Sequence, residues 1–387
     1  MGMPGQPLRL ALIAGEDSGD LLAADLARAL QQLEPGIELA GVVGPRMRRA
    51  GVSSWYDIEE LSVMGLAEVV RHLPRLVRLR RALKHRILAW PASAVITVDA
   101  PDFNLGLARA LKATGLPAIH YVSPSVWAWR AGRIPRIARS LDHLLTLFPF
   151  EPDLYAPHGL GATFVGHPLA DELAAGPDRA GARQELGLET DGPVIALLPG
   201  SRDGELKRHA ALLQDTARAI RQSRPDAILV MLLTGPRQRD RVAELLGGKA
   251  EAAGIRLLAG TTRRGIEAAD VALAASGTVT LEAFLLECPL VVFYRLAPAT
   301  YHLARSLHLV RSRHVALPNI LTRRDLVPEL LQQAATPDSL TREALAWLAD
   351  DERTAAYRAQ ARHWRERLAR GAGTRAAETI LGELGRA

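Results

Sequence analysis

Residues 95–130 read VITVDAPDFNLGLARALKATGLPAIHYVSPSVWAWR. The run Ala94–Val98 is short and apolar but for Thr97, the pattern of a strand buried on both faces of a parallel sheet. It ends at Asp99. Pro101 disfavours helical geometry at Ala100, and Asp102 or Asn104 is placed to cap the helix that follows. Gly115 and Pro117 close that helix, and a second strand, Ala118–Val122, runs into Ser123, Ser125, Trp127, Trp129 and Arg130. Open α/β sheets bind ligands outside the carboxyl ends of their strands. Two strand ends thus offer a carboxylate, hydroxyls, aromatics and a cation to one place, the expected catalytic side. The two tryptophans suit packing of the loop or contact with a substrate, and packing is favoured.

Upstream, Leu8–Ala14 is a further strand, and Gly15-Glu16-Asp17-Ser18-Gly19-Asp20 is the loop into a helix with Leu21, Leu22, Leu26 and Leu30 on one stripe. Such a junction exposes backbone N–H groups. Its acidity argues against phosphate, and it lacks G-x-G-x-x-G and the P-loop pattern. Glu16 and Ser18 suit sugar hydroxyls; a tight turn before a capped helix is the plainer alternative. Residues 59–88 are expected to divide at Pro74, which suits the first turn of a new helix. From there Leu73, Leu76, Val77, Leu83 and Ile87 recur at helical spacing between Arg75, Arg78, Arg81 and Lys84. Between Val69 and Val98 there are seven Lys or Arg and no acid. A basic amphipathic helix of this kind can lie on an anionic membrane, through Leu73, Leu76, Val77, Arg78, Arg81 and Leu83. The same pattern also suits an ordinary domain helix with solvated arginines.

After strands near Leu144–Leu147 and Thr163–Val165, residues rich in Ala, Gly and Pro mark a change of composition. The expected organisation is a first Rossmann-like domain at 1–172, a linker at 173–184, a second such domain at 185–350, and closing helices at 351–387. His158 and His167 are a weak metal hint without a carboxylate partner, and no metal is expected. In the second half, strand Val194–Leu198 meets Gly200-Ser201-Arg202, and Val271–Ala274 meets Ser276-Gly277-Thr278. Both junctions look built for an anion, with free N–H groups, hydroxyls and a guanidinium. Glu282, one turn on, is placed to accept from a diol such as a ribose. Helices are expected at 324–333, 341–348, 352–370 and 375–384. Alternating strands and helices give two doubly wound α/β domains facing a cleft, with a helical C-terminus. One half would hold a nucleotide diphosphate and the other an acid, the division of labour of a two-domain sugar transferase.

Composition sets the outer limits. The chain has 387 residues, 48% hydrophobic and 23% charged, a net charge of +6 and a pI of about 9.8. The basic residues are concentrated locally, and nucleic acid is not an expected partner. The lone Cys288 rules out an intramolecular disulfide and fits a reducing compartment. The N-terminus does not read as a secretory signal, and no stretch approaches a spanning helix.

Nine segments carry a resemblance: AGEDSGD (14–20), GVVGPRM (41–47), ELSVMGLAEV (60–69), VDAPDFN (98–104), HYVSPSVWAWR (120–130), VGHPLAD (165–171), LLPGSR (197–202), SGTVTLE (276–282) and LPNIL (317–321). In order and nearly end to end, they resemble the lipid A disaccharide synthase family. The resemblance implies a GT-B-type, inverting glycosyltransferase that needs no cofactor. Its donor is UDP-2,3-diacylglucosamine and its acceptor 2,3-diacylglucosamine 1-phosphate; the products are UDP and a β-1,6-linked disaccharide phosphate. It implies Asp99 as candidate base, Arg202 acting near UDP, and Glu282 and Asn319 lining the nucleotide site. An anionic membrane surface, at the cytoplasmic face of the inner membrane, is the expected location, and a homodimer a candidate assembly. Asp17 and Thr322-Arg323-Arg324-Asp325 depart from the family pattern. Another UDP-sugar enzyme of the same fold, or a non-catalytic sugar-nucleotide binder, is the competing reading. A NAD-dependent dehydrogenase is disfavoured, because no G-x-G-x-x-G follows a strand.

Overall fold

The structure, a computed structural model, describes residues 7–61, 66–127, 131–188, 192–247, 250, 253–296 and 313–386. It has two units: residues 1–171 with 367–387, and residues 172–366. The chain passes between them twice.

The first unit is built on seven strands: β1 (Arg9–Ala14), β2 (Glu38–Val43), β3 (Ser53–Asp57), β4 (Ala94–Val98), β5 (Ala118–Tyr121), β6 (His143–Thr146) and β7 (Gly161–Phe164). Their order is β3-β2-β1-β4-β5-β6-β7, and every pair is parallel. Helices cover the sheet, among them α1 (Asp17–Leu33), α2 (Pro45–Arg49), α3 (Leu66–Ala89) and α4 (Pro101–Lys112). Every residue of β4 is buried, as its largely apolar run requires, and the Thr97 hydroxyl is satisfied by His120 Nδ1 at 2.7 Å.

The second unit repeats the plan with β8 (Val194–Leu198), β9 (Ile228–Leu233), β10 (Ile255–Ala259), β11 (Val271–Ala275), β12 (Leu290–Tyr294) and β13 (Glu329–Leu331), in the order β10-β9-β8-β11-β12-β13. Both sheets therefore reverse direction beside their first strand, between β1 and β4 and between β8 and β11. At such a switch point the connecting helices leave to opposite faces and open a crevice beyond the strand ends. Asp99 stands at the first switch point, and the loops 199–202 and 276–278 at the second.

Several expectations need correction. Residues 59–88 are not divided at Pro74: α3 runs through it from Leu66 to Ala89. Pro74 lies on an exposed stretch, where water can take the carbonyl a proline leaves unpaired. Leu83 is fully buried, with Leu79 and Ile87, and belongs to the core; Leu73 is 53% exposed. The expected helix at 324–333 is a strand followed by a short 3-10 turn, because Pro328 breaks the helix and β13 pairs with β12. Within the expected linker, Asp178 caps the helix Arg179–Leu186, whose Arg179 and Arg183 both bind Asp270. The closing helices are shared out, 351–366 with the second unit and 367–387 with the first. Among the described residues no helix is long and apolar enough to cross a membrane.

The two ends of α3 thus differ in kind. Leu83→Ala should lower the unfolding free energy by about 2–5 kcal/mol in a urea titration. Leu73→Ala should stay within about 0.5 kcal/mol of the parent protein.

Candidate active site

Asp99 and Ala100 both adopt left-handed backbone geometry, φ +54° and +43°, and Val122 at the end of β5 does so at +83°. Such conformations cost roughly 1–3 kcal/mol each in a residue other than glycine and persist only where the surroundings fix them. Here the surroundings do so. The Asp99 N–H donates to the Tyr121 carbonyl at 3.0 Å. The Asn104 side-chain amide donates to the carbonyls of Asp99 at 2.8 Å and Val98 at 3.1 Å. Gly15 completes the arrangement: a Cβ there would lie 2.2 Å from that of Ala100. The outcome is a half-exposed carboxylate turned out of the sheet, one oxygen accepting from Ser18 Oγ at 2.8 Å. Ser18 and Asp99 are brought together; Glu16, at the N-cap position of α1, is exposed beside them.

The other residues expected on this side divide. Asn104 is fully buried and acts on the backbone, so it is not a ligand contact. Asp102 is 87% exposed and holds Arg133 at 2.6 Å. Ser123 is buried against the Tyr155 hydroxyl at 2.8 Å, and Ser125 is exposed. Trp127 packs edge-on against Phe148 and Phe150, with its indole N–H donating to Glu151 at 3.2 Å. Trp129 and Arg130 lie outside the described residues. His167 packs against Phe148 and accepts from the Leu169 N–H at 3.2 Å. Burial takes it down to about 4, which keeps it neutral.

In the second unit Gly200 has φ +102°, and a Cβ there would lie 2.4 Å from Glu205 Oε2. That carboxylate oxygen accepts from the N–H groups of Ser201 and Arg202, at 3.0 and 3.2 Å. The expectation of free N–H groups at 200–202 is therefore corrected: Glu205, in the first turn of the next helix, already takes them. What the loop presents is the Arg202 guanidinium, 83% exposed and 3.6 Å from Glu205. Beside it His209 donates through Nδ1 to the Pro199 carbonyl and accepts from the Arg295 N–H at Nε2, a neutral ring fixed in one tautomer. At 276–278, Gly277 and Thr278 are exposed, and Thr280 Oγ donates to the Gly277 carbonyl at 2.8 Å. Glu282 is paired with Arg263 at 3.2 Å. Asn319 is 1% exposed, and its amide spans Val327 and Glu329. Both ends of its amide are thus taken up within the fold.

The sequence matches the family model for lipid-A-disaccharide synthetase over residues 10–381. The chain belongs to that family. A lipid-A-disaccharide synthase of Alkalilimnicola ehrlichii is 47% identical over 380 residues, 98% of this chain and 99% of the relative. One of Chromohalobacter salexigens is 44% identical, covering 96% of each. Among solved structures, the calicheamicin glycosyltransferase CalG4 aligns at TM-score 0.59 and 16% identity, covering 98% of this chain and 99% of that one. The UDP-GlcNAc 2-epimerase of Methanocaldococcus jannaschii, bound to UDP-GlcNAc and UDP, aligns at 0.62 and 12%, covering 97% and 100%. At these identities the likeness shows the fold alone, that of the GT-B glycosyltransferases and related epimerases. Membership of the lipid-A-disaccharide synthetase family makes the chain a disaccharide-forming glycosyltransferase.

In this family member the sequence reading missed Glu151, which anchors the loop after β5. It accepts from the N–H groups of Leu147 and Phe148, at 3.1 and 2.9 Å, and from Trp127. Burial outweighs those bonds and raises it to about 7. The folded protein then holds a proton between pH 4.5 and 7 that the unfolded chain has lost, so Glu151 makes stability fall as pH rises through that window. His120 and His167, both lowered to about 4 by burial, act oppositely as pH drops from 6.5. The difference in unfolding free energy between the parent and Glu151→Gln isolates the carboxyl. It should shift against the parent by about 3 kcal/mol from pH 5 to pH 8; a pH-independent difference would remove Glu151 as the titrating group.

Proposed function

We propose that this enzyme joins UDP-2,3-diacylglucosamine to 2,3-diacylglucosamine 1-phosphate in one inverting displacement, releasing UDP. An α-linked donor and a β-linked product require a single in-line attack by the acceptor hydroxyl. Asp99 takes the proton of that hydroxyl, and Ser18 holds its second oxygen in line. General-base assistance of this kind is worth roughly 10²–10⁴-fold. The observation that carries the reading is the strained, over-determined backbone that turns the Asp99 carboxylate out at the switch point of the first sheet. Arg202 meets the leaving diphosphate, where a fixed guanidinium stabilises charge that develops only in the transition state. Gly277 and Thr278 add backbone and hydroxyl donors, and Glu282 accepts from the ribose.

We further propose that the outer face of α3 rests on the cytoplasmic face of the inner membrane. Leu73 is exposed, Leu76 and Val77 are half-buried, and Arg75, Arg78 and Arg81 point to solvent. Each basic residue near an anionic surface adds about 1 kcal/mol. Leu83, being core, takes no part.

Asp99→Asn should abolish disaccharide formation while leaving UDP binding intact, and a near-parental rate would take the base role from Asp99. Arg202→Ala should lower kcat/KM by about thirtyfold or more, equivalent to ~2 kcal/mol. The double change Leu73→Ser and Leu76→Ser should move the folded protein out of the pellet when sedimented with phosphatidylglycerol vesicles.

A further inference from the structure

Between α3, α4 and the helix Ile134–Ala138 lies a cavity of about 140 Å³. Four guanidinium groups line it, those of Arg80, Arg109, Arg133 and Arg136, against the single carboxylate of Asp102. That carboxylate is already committed to Arg133. Among the described residues neither Arg109 nor Arg136 has a carboxylate partner.

The pocket is built rather than merely charged. Arg80 lies over the Phe103 ring at 5.0 Å and donates to the Asp102 carbonyl at 3.2 Å. Its Nε is buried and has no hydrogen-bond partner. Gly106 makes room for it: a Cβ there would lie 2.8 Å from Arg80 Nη1. A guanidinium desolvated in this way is unfavourable unless an anion joins it. Pro101 and Asp102, the first turn of the twelve-residue α4, form part of the wall, so the positive end of the helix dipole adds to the four cations. The volume has room for on the order of ten waters, enough for a tetrahedral anion. Planar, forked guanidiniums are the groups that recognise phosphate oxygens in pairs.

We propose that this pocket binds a phosphate monoester, with Arg80 as its floor and Arg109, Arg133 and Arg136 as its rim. The same turn that carries Asp99 leads directly into the pocket wall at Pro101. A phosphate seated here would tether its molecule beside the Asp99 carboxylate. The monoester could be carried by the acceptor sugar or by the headgroup of phosphatidic acid. Its assignment to the acceptor rests on the function proposed above; the pocket's affinity for phosphate does not.

The test uses the double variant Arg109→Gln with Arg136→Gln, two exposed positions whose loss leaves the core intact. Arg218→Gln with Arg239→Gln removes the same charge from the second unit and serves as control. Inorganic phosphate titrated calorimetrically into the full chain should bind the parent and the control at least tenfold more tightly than the double variant. Equal affinity in all three overturns the proposal, whether or not the protein makes disaccharide. Steady-state kinetics and vesicles of phosphatidic acid, a lipid whose headgroup is itself a phosphate monoester, then tell the sources apart. A KM for the sugar phosphate acceptor raised tenfold, with kcat and the donor KM unchanged, assigns the pocket to the acceptor. Weakened vesicle binding with an unchanged acceptor KM assigns it to a lipid headgroup. Arg109→Lys with Arg136→Lys, which keeps charge but loses the fork, should recover part of the phosphate affinity.

Discussion

A carboxylate that accepts two or three hydrogen bonds from the N–H groups of a neighbouring loop recurs wherever this chain needs a loop held still. Asp20 takes the N–H groups of Gly44, Arg46 and Met47. Glu151 takes those of Leu147 and Phe148, and Glu205 those of Ser201 and Arg202. Glu329 takes those of Val315 and Ala316 together with the Asn319 amide. A parallel sheet leaves N–H groups beyond its strand ends with no ladder to join, and buried ones must find an acceptor. An ionised acceptor makes bonds about twice as strong as a neutral one. The loop after β8, at the second switch point, is therefore fixed by the protein's own carboxylate, Glu205, before any ligand arrives.

That arrangement decides which groups remain for chemistry. Had the N–H groups at 201 and 202 been free, the loop could have cradled a phosphate by backbone alone. With Glu205 occupying them, and with Tyr294 donating to its other oxygen at 2.9 Å, a negative charge lies directly under the loop. On the proposed reading a diphosphate approaches because Arg202 stands over that charge. On that reading the guanidinium serves both the internal carboxylate and the incoming phosphate, and Lys, with no fork to share, is a poor substitute. On the first unit the logic is inverted. The carboxylate itself, Asp99, is the group presented, and a buried amide, Asn104, does the holding.

Both sheets were largely legible in the sequence because a strand covered on both faces is an unbroken apolar run, and the residue that ends the run marks a candidate site. Asp99, Ser276 and the 199–202 loop were found that way. Two of the four edge strands were not: β3 reads SSWYD and β13 only ELL, and neither has the apolar continuity that burial on two faces imposes. Asn104 is expected at the helix cap on the acceptor side, and Asn319 is expected at the nucleotide only through the family resemblance. Both are instead consumed by backbone groups that only the folded chain brings near. Glu205 could have been found, since a glutamate at the third helical position reaching back to the N-cap N–H is a local pattern. Asp20 and its partners are separated by 24 to 27 residues, and no spacing rule connects them.

The seven basic residues between Val69 and Val98 looked like one feature and are at least two. At about 100° per residue, Arg75, Arg78 and Arg81 fall within one outward sector of α3. Arg80 lies some 200° from Arg78, on the side that carries the core residues Leu83 and Ile87. A helix whose basic residues served only a membrane would have no reason to place one against its own core. Desolvating that guanidinium is costly and draws on binding energy from elsewhere. The arrangement makes sense if the two faces see different anions, a diffuse surface outside and a single group in a fitted pocket within. On that view α3 couples the plane of the lipid to the turn that carries Asp99, since the residue that reaches inward from it touches Asp102 and Phe103, three and four positions beyond Asp99.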